Sequence, residues 1–461
     1  MKICFLVPDG VGLRNYLYSN LISEFPDEVE IMLLTVLPQE VVKEVEMIHN
    51  RNITYVPMTA YSESLKGKLL KEIITYARLR YNTRKVKNAT IMINWTRKKH
   101  KFFTSLYYNL AAIIGFFFSL SYRGIEILED KYNKHLRSTD YFKEQMHMLK
   151  KYNPDILFST HQRSLDGSVI VEAANALGIS TIGAIYSWDN LPKARMLVHT
   201  KYYVVWSDYM KQEISDYYPE ISLSDIEITG TPQFEFYFNK DLYVERTEFF
   251  TALGLDLNKK VLCFSGNDLT FPCDEMYLND LANALMEVPE KDRPQILLRR
   301  CPVDLSGRFN SIVEKFPDLI KVSDPIWKAY SKEWDFIVPT YEDVQLLVNV
   351  ALHSDAVINV GSTMAHDFAV YNKPAIYINY DQPDIKNWSA IENNQYQHFK
   401  SMPNKDCVIW LNSKNEIKEC VNKALYGPLA AKETRSAWFK IVALHPLDEA
   451  SKRLADTILS H

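Results

Sequence analysis

Short apolar runs separated by helix-length segments recur along this chain, and that rhythm constrains its fold more than any other feature. The first run, Ile3-Cys4-Phe5-Leu6-Val7, is closed by Pro8-Asp9-Gly10. It is continuously apolar rather than alternating, as a strand covered on both faces requires. Strands Glu30–Val36 and Ile53–Pro57 follow, with helices expected over Leu13–Glu24 and Gln39–Ile48 between them. Parallel strands need a long crossover, usually a helix. The expected class is α/β, built on a doubly wound parallel sheet.

The rhythm resumes with a helix over Asp140–Lys151, strand Asp155–Ser159, a helix over Ser164–Leu177 and strand Ser180–Ala184. Strand Tyr202–Trp206, a helix over Asp208–Tyr217 and strand Ile226–Ile228 complete this half, and Thr229–Phe234 reads as its exit. A second alternating unit starts at Lys260, with strands Val261–Ser265, Gln295–Arg299, Leu319–Val322, Ala356–Asn359 and Ala375–Asn379. Helices are expected over Asp274–Met286, Tyr341–His353 and Thr363–Tyr371. A chain of 461 residues is too long for one ordinary core. We therefore expect an N-terminal domain over 1–235, a C-terminal domain over 236–435, and an amphipathic stretch in 436–461 that can pack back on the first.

The block 64–122 interrupts the alternation and reads as a helical insertion. From Ile73 to Ile125 there are ten Lys and Arg and no Asp or Glu, in a chain of net charge −4. Phe102 to Tyr122 is a stretch of 21 residues without a charge, directly behind Arg97-Lys98-Lys99-His100-Lys101. Such a length can span a bilayer. Spanning, however, would put strands of one sheet on opposite sides of the membrane. A membrane-surface element is the expectation, with Phe116 and Phe117 entering the headgroup boundary and Lys98, Lys99 and Lys101 meeting anionic lipid. A buried hairpin with a solvated basic face is the alternative. No RNA-binding motif accompanies the charge, so no nucleic-acid partner is expected.

Six cysteines without C-x-x-C or metal-ligand spacing suit a reducing compartment, and no metal site is expected. The N-terminal run lacks a small-residue cleavage site. The expected location is cytoplasmic, peripheral to the inner face of the membrane.

Ligands of open α/β sheets bind at the carboxyl ends of the strands. After the first strand, Asp9, Gly10, Gly12 and Asn15 form either a ligand approach or a plain tight turn. After strand Ser180–Ala184, Trp188, Asp189, Asn190 and Lys193 gather an indole, an acid, an amide and a base. Asp189 is a candidate base for an acceptor hydroxyl, or else a capping Asp beside a packed Trp. His161 and Asp9 are the other candidate bases. In the second half, Gly266 and Asn267, Arg299 and Arg300, and Gly361, Ser362 and Thr363 stand at neighbouring strand ends, where a helix start and arginines suit a diphosphate. Thr340 and Tyr341 could frame a base or ribose.

In order along the chain, these segments resemble GT-B glycosyltransferases. The resemblance is carried by Phe158-Ser159-Thr160-His161, Trp188-Asp189-Asn190-Leu191-Pro192-Lys193, Gly230-Thr231-Pro232-Gln233-Phe234 and Ser354-Asp355-Ala356-Val357-Ile358-Asn359. Gly361-Ser362-Thr363 with Asp367, Lys373-Pro374 and Asp381 extends it. The pattern is similar to that of CDP-glycerol glycerophosphotransferases and related bacterial surface-polysaccharide transferases. It implies two Rossmann-like domains facing a cleft and a nucleotide-sugar donor used as substrate, without cofactor or metal. It also implies a glycan or lipid-linked acceptor.

Two departures stand out. The family's base histidine falls on Asp189 and its phosphate-side histidine on Cys301, and a thiol does not replace an imidazolium against phosphate. Sugar transfer is thus expected over glycerophosphate transfer, with Asp189 as base and His161 or Asp9 as runner-up. The alternatives are a CDP-glycerol-type transferase and a non-catalytic scaffold in polysaccharide assembly. A hydrolysing epimerase shares the fold, but its chemistry leaves the basic insertion without a role.

Overall fold

Each of the apolar runs becomes a parallel strand in the computed structural model, which describes residues 1–95, 102–329, 337–427 and 432–461. The chain divides into two units, Met1–Gln233 with Val442–His461, and Phe234–Ile441.

In the first unit, strands β1 (Lys2–Val7), β2 (Glu30–Thr35), β3 (Ile53–Pro57), β4 (Ile156–Ser159), β5 (Ser180–Ala184), β6 (Tyr202–Val205) and β7 (Ile226–Ile228) form one sheet in the order 3-2-1-4-5-6-7. All pairings are parallel, with Ile3 opposite both Ile31 and Ile156. The chain winds outward from β1 through β2 to β3, then crosses back to β4. That reversal brings the carboxyl ends of β1 and β4 side by side. Ile3 to Val7 are wholly buried, and Phe5 packs edge-on to Phe25 and Phe158.

The expected helix over Leu13–Glu24 is not continuous. A short turn at Gly10–Gly12 leads into a π-type turn, Leu13–Leu17, and a 3-10 turn, Asn20–Glu24. The break lies at Ser19, whose hydroxyl donates to Tyr16 O at 2.9 Å and accepts from Leu21 N at 3.4 Å. A side chain that bonds the backbone on both sides ends one turn and starts the next.

The insertion 64–122 consists of helix Leu65–Val86, a 3-10 turn Ala89–Asn94 and helix Phe102–Phe118, and helix Tyr122–Arg137 starts at its end. Lys98, Lys99 and Lys101 lie outside the described residues. A β-carbon on Gly115 would stand 2.9 Å from Ile73 O, so the first two helices pack at backbone contact there. At the root, fully buried Arg78 bonds Tyr122 Oη at 2.5 Å, Tyr217 O at 2.7 Å and Glu129 at 2.5 Å, and Glu220 lies 3.5 Å away. Glu129, His199 and Glu220 place ligand atoms within 4.8 Å of one another, and the Arg78 guanidinium already supplies the cation between the two carboxylates.

In the second unit, β8 (Val261–Ser265), β9 (Gln295–Arg299), β10 (Ile320–Ser323), β13 (Ala356–Asn359), β14 (Ala375–Ile378) and β15 (Ile409–Leu411) form a parallel sheet in the order 10-9-8-13-14-15. Its reversal lies between β8 and β13. Strands β11 (Trp327–Ala329) and β12 (Ile337–Pro339) make a separate antiparallel pair. This pair and β15 have no counterpart in the expected strands.

The amphipathic C-terminal stretch is two helices, Lys432–Val442 and Ala450–Ser460. Pro446, which has no N–H to continue a helix, lies between them. The unit boundary falls at 441/442 rather than 435/436. Helix Ala450–Ser460 belongs to the first unit, where Arg453 Nε donates to Thr229 O at 2.9 Å.

Candidate functional site

The reversal of the first sheet places the loop after β1 against the loop after β4. Asp9 begins the turn Gly10–Gly12, its Oδ1 accepting from the amides of Val11 at 3.0 Å and Gly12 at 3.4 Å. Its other oxygen, Oδ2, meets His161 Nδ1. Both side chains are buried. Burial alone would raise the Asp9 carboxyl, but the His161 charge, the His161 hydrogen bond and the two amides outweigh it and hold the group below the usual range. When the imidazole is neutral, an ionised Asp9 accepting from Nδ1–H leaves the lone pair on His161 Nε2. That nitrogen is buried and has no hydrogen-bond partner among the described residues. The imidazole packs edge-on to Tyr186 at 4.4 Å, and Arg163 Nη2 bonds the Tyr186 hydroxyl at 2.5 Å. Two of the three candidate bases thus form one pair, as triads pair an acid with a histidine.

The remaining residues of that loop are structural neighbours of the pair. Gly10 and Gly12 are buried, and Asn15 Oδ1 accepts from Arg14 Nε at 3.1 Å.

Asp189 stands differently. Lys193 Nζ lies 2.5 Å from its Oδ2, while Ser187 Oγ at 2.7 Å and Asn190 Nδ2 at 3.3 Å donate to Oδ1. The carboxylate is therefore engaged on both oxygens. Trp188 and Asn190 are buried beneath it.

In the second unit, Gly266, Arg299 and Gly361 follow three adjacent strands, β8, β9 and β13, and Gly266 N donates to Arg299 O at 2.9 Å. Asn267 N donates to Asp274 Oδ2 at 2.5 Å. Gly361 has φ +66°, and a β-carbon on it would stand 2.7 Å from the Phe399 ring. Ser362 N is taken by Asn359 Oδ1 at 2.8 Å, and Thr363 precedes helix Met364–Val370. Asp367 accepts from the Tyr237 hydroxyl at 2.8 Å. Thr340 caps helix Tyr341–His353 through Asp343 N, and Tyr341 is half-buried at the next position.

The two arginines part company. Arg299 is buried and grips both oxygens of Asp343 from one nitrogen, at 2.7 and 2.9 Å, while its Nη1 has no hydrogen-bond partner among the described residues. Arg300 faces an open pocket of about 380 Å³, bonded to Asn310 Oδ1 at 2.9 Å, with Cys301, Asp324, Gly307 and Trp327 around it. Burial pushes the Cys301 thiol up to about 11, so it is neutral at pH 7.

Against known proteins, no family model matches the chain, and no curated protein matches it. Solved structures do. A UDP-GlcNAc 2-epimerase from Neisseria meningitidis bound to UDP-GlcNAc matches over 100% of both chains, with a TM-score of 0.53 and 11% identity. A glycosyltransferase from Rickettsia africae matches over 100% of this chain and 99% of its own, at 0.53 and 12%. The wall teichoic acid polymerase TagF matches over 100% of this chain and 88% of its own, at 0.50 and 12%. The fold is GT-B. At these identities the GT-B likeness establishes the architecture and leaves the reaction to the residues.

Sequence reasoning did not single out Tyr186, Asp274 or Arg308. Arg308 Nη2 donates to Asn267 O at 2.6 Å, and its Nε lies 2.7 Å from Asp304. Arg308 reaches the β8 loop from 41 residues away in sequence, a distance no local pattern signals. Asp274 had a weak signal, as an acid at the first position of an expected helix.

Proposed function

We propose that this chain is a glycosyltransferase that moves a sugar from a nucleotide-sugar donor to a hydroxyl of a glycan or lipid-linked acceptor, with His161 as the base. The observation that carries this is the buried Asp9–His161 pair at the sheet reversal, with Nε2 unpartnered among the described residues. In the step, the acceptor O–H proton passes to Nε2 and the freed oxygen bonds the anomeric carbon. The bond from that carbon to the diphosphate breaks, and its electron pair leaves with the diphosphate. Asp9 holds Nδ1–H and balances the imidazolium that forms. Within the second unit, Arg300 on its open pocket is the candidate contact for a nucleotide's phosphates. A neutral Cys301 beside it favours sugar transfer over glycerophosphate transfer.

The test is nucleotide release from UDP-, GDP-, CDP- and dTDP-sugars, with and without glycan and lipid-linked acceptors, by wild type, His161→Gln and Asp189→Asn, alongside thermal shifts with the free nucleotides. His161→Gln should lower turnover by roughly 10²–10⁴-fold while nucleotide stabilisation persists. Loss of turnover in Asp189→Asn alone would return the base role to Asp189. No stabilisation by any nucleotide would favour the scaffold reading.

The epimerases among the similar structures support a second reading. It predicts an altered sugar from UDP-GlcNAc with no acceptor present, whereas transfer requires one.

A further inference from the structure

Helix Phe102–Phe118 and the turn after it carry a stripe of large apolar side chains that stand exposed among the described residues. Leu106, Leu110, Ile113, Phe117 and Leu120 are between 45% and 63% exposed. Their spacing of four, three, four and three residues puts them on one side of a helix. The opposite side is packed, with Ile114 and Phe118 against the core and Gly115 against the Ile73 carbonyl.

We propose that this stripe docks on an anionic lipid surface, with the helix lying along the membrane plane. Three observations select lipid. The Arg80 guanidinium stacks over Phe116 at 4.4 Å, Arg84 reaches the Ser119 carbonyl, and Arg123 is exposed just past Leu120, so cations rim the stripe. The segment Ile73–Ile125 contains no acid to oppose them. A second copy of the same face would therefore bring like charge against like charge, whereas anionic headgroups complement it. Finally, no helix among the described residues is long and apolar enough to cross a membrane, so the stripe lies on a bilayer rather than through it.

The inference does not rest on the catalytic proposal. Full-length protein is sedimented with phosphatidylcholine vesicles and with vesicles carrying about one-third phosphatidylglycerol, across a salt series. Wild type should partition at least about tenfold better into the anionic vesicles, and salt should weaken it. Ile113→Glu/Phe117→Glu should abolish partition without lowering the melting temperature, because both side chains are exposed. Arg84→Gln/Arg123→Gln should weaken it partly. Failure of wild type to bind, equal binding to neutral vesicles, or unchanged binding of the Glu variant would overturn the proposal. A dimer in light scattering that the Glu variant dissolves, without vesicle binding, would assign the stripe to a second copy. Nucleotide stabilisation should be equal in wild type and variant, so a negative result here leaves the proposed reaction untouched.

Discussion

A β-carbon built on Gly12 would stand 2.5 Å from Thr160 Oγ1, so the loops after β1 and β4 touch where no side chain fits. Thr160 Oγ1 is itself held by Leu6 O at 3.0 Å and does not swing away freely. Gly12→Ala should therefore cost about 1–3 kcal/mol and spread the loops that bear Asp9 and His161. Urea unfolding measures the cost, and Gly12→Ala/Thr160→Ala should recover part of it.

Asp9 is held below the usual carboxylate range, so its stabilising contribution is present above about pH 4 and is lost as pH falls through its folded value. Asp9→Asn should lower stability at pH 7 by about 1–3 kcal/mol and flatten the acid limb of a stability profile below pH ~4. An equally steep acid limb in the variant would contradict the assignment. Turnover should fall with it, because Asn cannot balance an imidazolium.

Arg299 and Arg300 should behave oppositely despite being adjacent. Arg299→Ala strands the buried Asp343 carboxylate without its cation and should cost about 3–5 kcal/mol. Arg300→Ala, at a partly exposed pair with Asp324, should cost under about 1 kcal/mol yet reduce nucleotide-induced thermal shifts.

Asp274 is pushed up to about 7 by burial, which outweighs its bonds from Asn267 and the nearby Arg308. The fold favours its protonated form, so that contribution is full below about pH 4 and is lost as pH rises through about 7. Asp274→Asn should remove this decline, raising stability at pH 8 relative to wild type while changing little at pH 4. Melting curves at the two pH values decide it.

Much of the sheet architecture was legible because buried parallel strands are continuous apolar runs. β1, β4, β8 and β13 each stand out locally, and the strand-end rule directs attention to Asp9, His161 and Gly361. The turns after Gly12 were misread as one helix because Leu13, Leu17 and Leu21 keep a helical spacing, while the Ser19 hydroxyl that breaks it acts through hydrogen bonds a pattern does not display. Likewise, Arg299-Arg300 reads as a pair. Which of them is buried depends on Asp343, 44 residues onward from Arg299.

The sequence by itself determined the α/β class, the two alternating halves and the charge-free stretch behind a basic cluster, because apolar period and charge are local properties of the chain. Only the tertiary structure decided that Asp9 and His161 form one pair across 152 residues, that Asp189 is engaged by Lys193, and that one face of helix Phe102–Phe118 is left open. Strand order decides which loops meet, and strand order is set by long-range packing that no single segment encodes.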